Sequence, residues 1–170
     1  NTLELSTGVH TLTTNSKLLN IQTIKTNSSG SQLDLTNQSE DFTIEVGAGT
    51  DNIKGGSGAD TIKVNSAGQG NADTLDGGAG TSDILQLSAG SHSFTDNSKL
   101  VNVETIKGHA SSATTVVLTG QLETLKVDGG SAGDIITGGN GDDIITGGGG
   151  DDIIAGGAGD DSLYGNAGDN

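Results

Sequence analysis

The sequence predicts an all-β solenoid of short strands stacked in register, on three observations. A glycine- and aspartate-rich nonapeptide recurs in nine copies, the last one truncated. Each complete copy carries one aliphatic residue two positions after its aspartate. A strand-like segment of about 40 residues precedes each of two blocks of these copies, so the chain is internally duplicated.

The elements follow in order along the chain. Residues 1–45 form a first strand segment without the motif. Its pairs Leu3/Leu5, Leu33/Leu35 and Ile44/Val46 alternate with Ser, Thr and Asn, the pattern of half-buried strands. Residues 46–86 form a first nonapeptide block. Val46 to Lys54 and Gly55 to Lys63 are regular copies, and Ala67 to Asp76 and Gly77 to Gln86 each carry one extra residue before the aspartate. Residues 87–127 repeat the strand segment, with a further pair at Leu125/Val127. Residues 128–170 form the second block, whose copies start at Gly129, Gly138, Gly147, Gly156 and Gly165.

The duplication is direct. Leu3 to Lys25 aligns without gaps to Leu85 to Lys107, with 14 of 23 positions identical. His10/His92 and Lys17/Lys99 are among them. Both histidines read as polar turn residues copied with the unit, and His109 reads as another turn residue. Leu18 to Ile24 and Leu100 to Ile106 have spacings that suit either a helical turn or a strand and corner, and the second reading is preferred. The chain starts inside a strand-like stretch at Asn1 and stops inside a repeat at Asn170, which reads as a segment cut from a longer protein.

Within each copy the glycines permit tight turns and close approach of neighbouring backbones. The aliphatics Ile53, Ile62, Leu75, Leu85, Ile136, Ile145, Ile154 and Leu163 are too few for a globular core. Stacked in register they make a thin continuous ladder.

Composition narrows the function. Glycine is 30 of 170 residues, and Pro, Cys, Met and Trp are absent. Without Cys there is neither a disulfide framework nor a thiolate metal site. The net charge is −15, most of it from aspartates in the glycine runs. An acidic surface without arginine speaks against nucleic acid and against anionic membranes, and no apolar run is long enough to insert in a bilayer. It favours cations. No nucleophile elbow, P-loop, dinucleotide fingerprint or EF-hand loop is present, so this segment is expected not to be an enzyme.

Calcium explains why Gly and Asp recur together. The ion takes about six to eight oxygens at ~2.4 Å. A glycine turn exposes backbone carbonyls and the aspartate adds a carboxylate. In a two-sided roll successive turns fall on alternate edges, so each turn lies over the next but one, about 18 residues on. The expected carboxylate pairs are Asp51 with Asp73, Asp60 with Asp83, Asp134 with Asp152, and Asp143 with Asp161. Asp152 facing Asn170 would make a weaker terminal site. The accompanying turn residues are Gly47, Gly49, Gly55, Ser57, Gly68, Gly70, Gly77 and Ala79 in the first block. In the second they are Gly129, Ser131, Gly138, Asn140, Gly147, Gly149, Gly156, Ala158 and Gly165. About five Ca²⁺ ions would offset most of the self-repulsion along the edges.

The pattern resembles the RTX, or hemolysin-type calcium-binding, repeats. Gly55-Gly56-Ser57-Gly58-Ala59-Asp60-Thr61-Ile62-Lys63 matches it at every fixed position, as do the copies starting at Gly138, Gly147 and Gly156. Departures fall at Val46, Ala67, Ala132 and Asn170 and in the two ten-residue copies. The resemblance implies a right-handed parallel β-roll, Ca²⁺ between stacked Gly-Asp turns, and export by type I secretion to the outside of a bacterial cell. The duplicated unit looks like segments of bacterial surface-layer proteins and large RTX adhesins, with neighbouring copies in a lattice or cell-surface polysaccharide as partners. The C-terminal secretion and folding module of an exported enzyme or toxin is the alternative. Glycan binding is disfavoured by the near absence of aromatic side chains.

Overall fold

The computed structural model describes residues 1–12, 18, 20–68 and 72–168. Among them every strand pairing is parallel and no helix occurs. One long sheet of nine strands runs from Thr2–Glu4 to Ser162–Ala167. Two shorter sheets cover the other face. The first holds Gly8–Thr11, Ser31–Asp34, Asn52–Lys54, Thr74–Asp76 and Leu100–Val101, and the second Gly90–Ser93, Thr114–Val117, Ile135–Thr137 and Ile153–Ala155. The chain alternates between the faces, so each coil contributes a strand to both sides of a parallel β-roll.

Register follows repeat length. Thr43 pairs with Thr61 and Ile144 with Ser162, the 18-residue step of two regular nonapeptides. The ten-residue copies and the three residues 64–66 before them lengthen the coil, so Thr61 pairs with Ile84. The long sheet crosses from strand segment to block and back without a break.

The core is one file of side chains per sheet. On the long sheet Leu3, Ile24, Ile44, Ile62, Leu85, Ile106, Val127, Ile145 and Leu163 lie in successive register. Opposite them run Leu33, Ile53, Leu75 and Leu100, then Val116, Ile136 and Ile154. Most are fully buried, each contributing roughly 1.5–3 kcal/mol on removal from water. Leu163, on the last strand of the long sheet, is 46% exposed because no further strand covers it among the described residues.

Two expectations need correction. His10 and His92 are strand residues rather than turn residues. They open the inward files of the two short sheets, paired with Leu33 and Val116. His92 is buried, its Nε2 lies 3.0 Å from the Ser88 carbonyl, and burial lowers its pKa. The assignment of the repeat glycines to turns also fails in part in the second block. The strands Lys126–Gly130, Ile144–Gly149 and Ser162–Ala167 continue through glycines assigned to turns, because stacked turn backbones pair like a ladder. The stretch from Leu100 is a strand and corner, and Lys17 lies outside the described residues.

The first short sheet ends and the second begins within one coil. That coil carries both Gly90–Ser93 and Leu100–Val101. Leu100 stacks on Leu75, 25 residues earlier, while Gly90–Ser93 pairs upward with Thr114–Val117.

Candidate metal centres on the turn edges

The turns stack along two edges, and each repeat aspartate is turned inward. Asp51, Asp60, Asp73, Asp83, Asp134 and Asp143 are all buried to 1% exposure or less, and Asp152 to 5%. An inward carboxylate needs donors. Each turn draws one from the turn before it. Asp51 N–H donates to Asp73 Oδ1 (2.7 Å) and Asp60 N–H to Asp83 Oδ1 (2.7 Å). Asp134 N–H donates to Asp152 Oδ1 (2.8 Å) and Asp143 N–H to Asp161 Oδ1 (2.9 Å). All four carboxylate pairs expected from the sequence are therefore vertical neighbours. Gly70 and Asn170 lie outside the described residues.

The second carboxylate oxygen distinguishes the sites. In Asp60 and Asp143, Oδ2 accepts from Gly56 N–H and Gly139 N–H, both at 2.8 Å. In Asp51, Asp73, Asp83 and Asp134, Oδ2 is buried and has no hydrogen-bond donor. Burial pushes the Asp51, Asp60 and Asp134 carboxyls up. Asp73 and Asp83 are pushed up to about 6, first by burial and then by the negative charge of the neighbouring Asp51 and Asp60, against the pull of the backbone hydrogen bond each accepts. Stacked carboxylates with buried oxygens to which no protein group donates fit a bound cation.

Backbone oxygens converge on the same places. A Cβ at Gly55 would meet the Gly77 carbonyl oxygen and, at 2.6 Å, Asp60 Oδ2. At Gly129 it would meet the Gly147 oxygen (2.5 Å) and Asp134 Oδ2 (2.6 Å), and at Gly138 the Gly156 oxygen and Asp143 Oδ2 (2.8 Å). Each close approach thus brings the first-position carbonyl of one turn against the carboxylate of the turn before. Only glycine permits it, since a Cβ would collide with both oxygens. Among the described residues no three carboxylate or imidazole groups cluster as a side-chain metal site, so a bound ion would take most of its ligands from carbonyls, the donor set that a hard cation such as Ca²⁺ accepts.

Other assigned turn residues act in the stacking. Ala79 N–H donates to the Gly56 carbonyl (2.7 Å) and Ala158 N–H to that of Gly139 (3.0 Å). Ser57 N–H and Asn140 N–H donate to Gln38 and Gln121 carbonyls, at 2.9 and 2.8 Å. Ser131 Oγ donates to the Ala110 carbonyl (2.7 Å). Gly47 and Gly49 pack on residues 26–30 of the motif-free coil below, and Gly68 N–H donates to the Ser91 carbonyl (2.9 Å). Gly149 and Gly165 lie within strands.

Sequence reasoning missed the residues that close each block. Where a motif-free coil meets a nonapeptide turn, Asp Oδ1 accepts from an ordinary residue: Ser31 for Asp51, Phe42 for Asp60, Thr114 for Asp134 and Leu125 for Asp143, at 2.6–2.8 Å. At the top of the first block Asp83 N–H donates to Glu104 Oε2 (2.7 Å). No local motif announces these partners. The 82-residue alignment holds the only signal, since it sets Glu104 against Gln22.

A family model for the RTX calcium-binding nonapeptide repeat matches the chain four times, over residues 43–66, 67–90, 128–163 and 147–170, more than half of its length. No curated protein and no solved structure matches it.

Proposed function

The chain belongs to the RTX calcium-binding nonapeptide repeat family, as a calcium-binding structural segment of a secreted protein, and from that premise we propose that it is part of a bacterial surface-layer or adhesin protein that folds and assembles on export into millimolar calcium. Each ion is held between two stacked turns by the aspartate pair and the turn carbonyls. We assign these sites to Asp51/Asp73, Asp60/Asp83, Asp134/Asp152 and Asp143/Asp161, with a terminal one at Asp152 and Asn170, about five ions in all.

The energetics support coupling of folding to export. Extracellular calcium modules bind at ~10⁻⁴–10⁻³ M. At millimolar calcium each site then contributes about 1–2 kcal/mol by mass action. Five sites reach about 5–10 kcal/mol, the whole stability of a typical domain. At cytosolic calcium the carboxylates repel one another and the blocks stay open, which suits passage through a type I exporter.

The duplication carries the surface assignment. A unit of strand segment plus calcium block that continues one sheet into its own copy suits an extended, repetitive surface protein. Calcium added to the purified chain should give two-dimensional sheets in negative-stain electron microscopy if neighbouring copies are the partners. A monodisperse monomer at millimolar calcium would instead favour an adhesin spacer, and a catalytic domain in the same polypeptide would replace the surface reading with an enzyme or toxin module.

A further inference from the structure

We infer a further calcium site outside the nonapeptide motif, between the turn at residues 77–83 and the turn at residues 101–104, with Glu104 supplying the carboxylate that an aspartate supplies elsewhere. It rests on the reading that calcium fills the nonapeptide turns. Residues 101–104 contain no glycine and fall outside the stretches matched to the repeat family.

The two turns are stacked like the nonapeptide turns beneath them. Gly77 N–H donates to the Val101 carbonyl (2.9 Å), and Glu104 N–H and Thr105 N–H donate to the Asp83 carbonyl (3.2 and 3.1 Å). Asp83 N–H donates to Glu104 Oε2 at 2.7 Å, the contact that Asp60 N–H makes with Asp83 Oδ1 one turn below. Glu104 thus stands in the aspartate's place, its longer side chain reaching over a shorter turn.

The oxygen framework is repeated as well. A Cβ at Gly77 would meet the Asn102 carbonyl oxygen and, at 2.8 Å, Asp83 Oδ2. At Gly55 it would meet the Gly77 oxygen and Asp60 Oδ2. Asn102 takes the place of the first glycine of a repeat. It holds the left-handed backbone (φ 52°) that asparagine tolerates best after glycine, and its Nδ2 donates to Asp76 Oδ1 (2.7 Å). Asp83 is 1% exposed, and its Oδ2, which converges with the Asn102 carbonyl oxygen beside Gly77, has no donor.

The internal duplicate supplies a control. Asn1 and Gln22 occupy the positions of Asp83 and Glu104, and the amino-terminal ammonium of Asn1 donates to Gln22 Oε1 at 2.7 Å. An amide oxygen thus reaches the same acceptor position without a charge. The carboxylates of Asp83 and Glu104 add two like charges that the bond does not need and that repel each other. A divalent cation between them, bound also by the Asn102 carbonyl, accounts for those charges.

Calcium titration of the full chain by isothermal calorimetry tests the site. Glu104→Gln, the duplicate's own residue, should bind one equivalent fewer than the parent, with the same circular dichroism at saturating calcium because the acceptor for Asp83 N–H is kept. Equal stoichiometry and affinities in the two proteins would overturn the inference. Should the variant fail to fold, the Glu104 Cδ resonance of the parent decides. A shift that saturates with calcium supports the site, and a resonance that stays fixed while Asp60 Cγ moves overturns it. A parent chain that binds no calcium at all removes the underlying reading of the turns, and this site with it.

Discussion

Two corners on the same edge of the roll close the same gap by different means. At residues 35–42 and 118–125, in the motif-free coils, a buried glutamine spans the coils: Gln38 Nε2 donates to the Leu12 carbonyl (2.9 Å) and Gln121 Nε2 to that of Phe94 (2.8 Å). Phe42 and Leu125 fill the position that an aspartate holds one coil later, and both are buried. At residues 55–60 and 77–83 the corner carries no such filling. It has glycines, carbonyl oxygens and an inward carboxylate. The first corner buries no carboxylate, and its interior is filled by the chain's own side chains. In the proposed reading the second is completed by a cation, so one continuous sheet would join coils of intrinsic stability to coils whose stability depends on the solution.

Calcium removal should separate these regions most. In EDTA the nonapeptide coils lose about 5–10 kcal/mol, and the β signal in circular dichroism should fall by the share those coils contribute. An unchanged spectrum and melting point would break the comparison.

Single substitutions sharpen it. Gln121→Leu leaves the Phe94 and Asp96 carbonyls without their donor, at a cost of about 1–3 kcal/mol, and this loss should be the same with and without calcium. Asp143→Asn keeps an acceptor for Leu125 N–H while removing the charge. It should lower the melting temperature in calcium, and in EDTA the effect should vanish or reverse. Matching responses of the two variants in denaturant melts with and without calcium would erase the distinction between the corners.

The smallest effect is that of pH on the calcium-free protein. Asp73 and Asp83 titrate at about 6 in the fold, above the ordinary carboxylate value near 3.9. Protonation therefore favours the folded state. That stability is fully present below about pH 4 and is lost as pH rises through about 6. In EDTA the β signal of the first block should therefore be larger at pH 4.5 than at pH 7, whereas with calcium present the trend should oppose this as protons compete for the carboxylates.

Much of the roll was legible because a repeat constrains its own stacking. The nonapeptide spacing placed Ile62 and Ile145 on an inward file and paired Asp143 with Asp161, since identical turns of equal length must superpose. Repeat spacing alone sufficed for the solenoid, the nonapeptide blocks and the stacking of their aspartates. What lies above and below each block depends on how the coils are assembled. Coil length, not local motif, selects vertical neighbours, and it varies from 18 to 23 residues among the steps of the long sheet. That is why Phe42 and Leu125 cap the aspartate rows, why His92 begins a core file, and why Glu104 comes to rest over Asp83. Residues with no common pattern meet there because the chain between them has the right length.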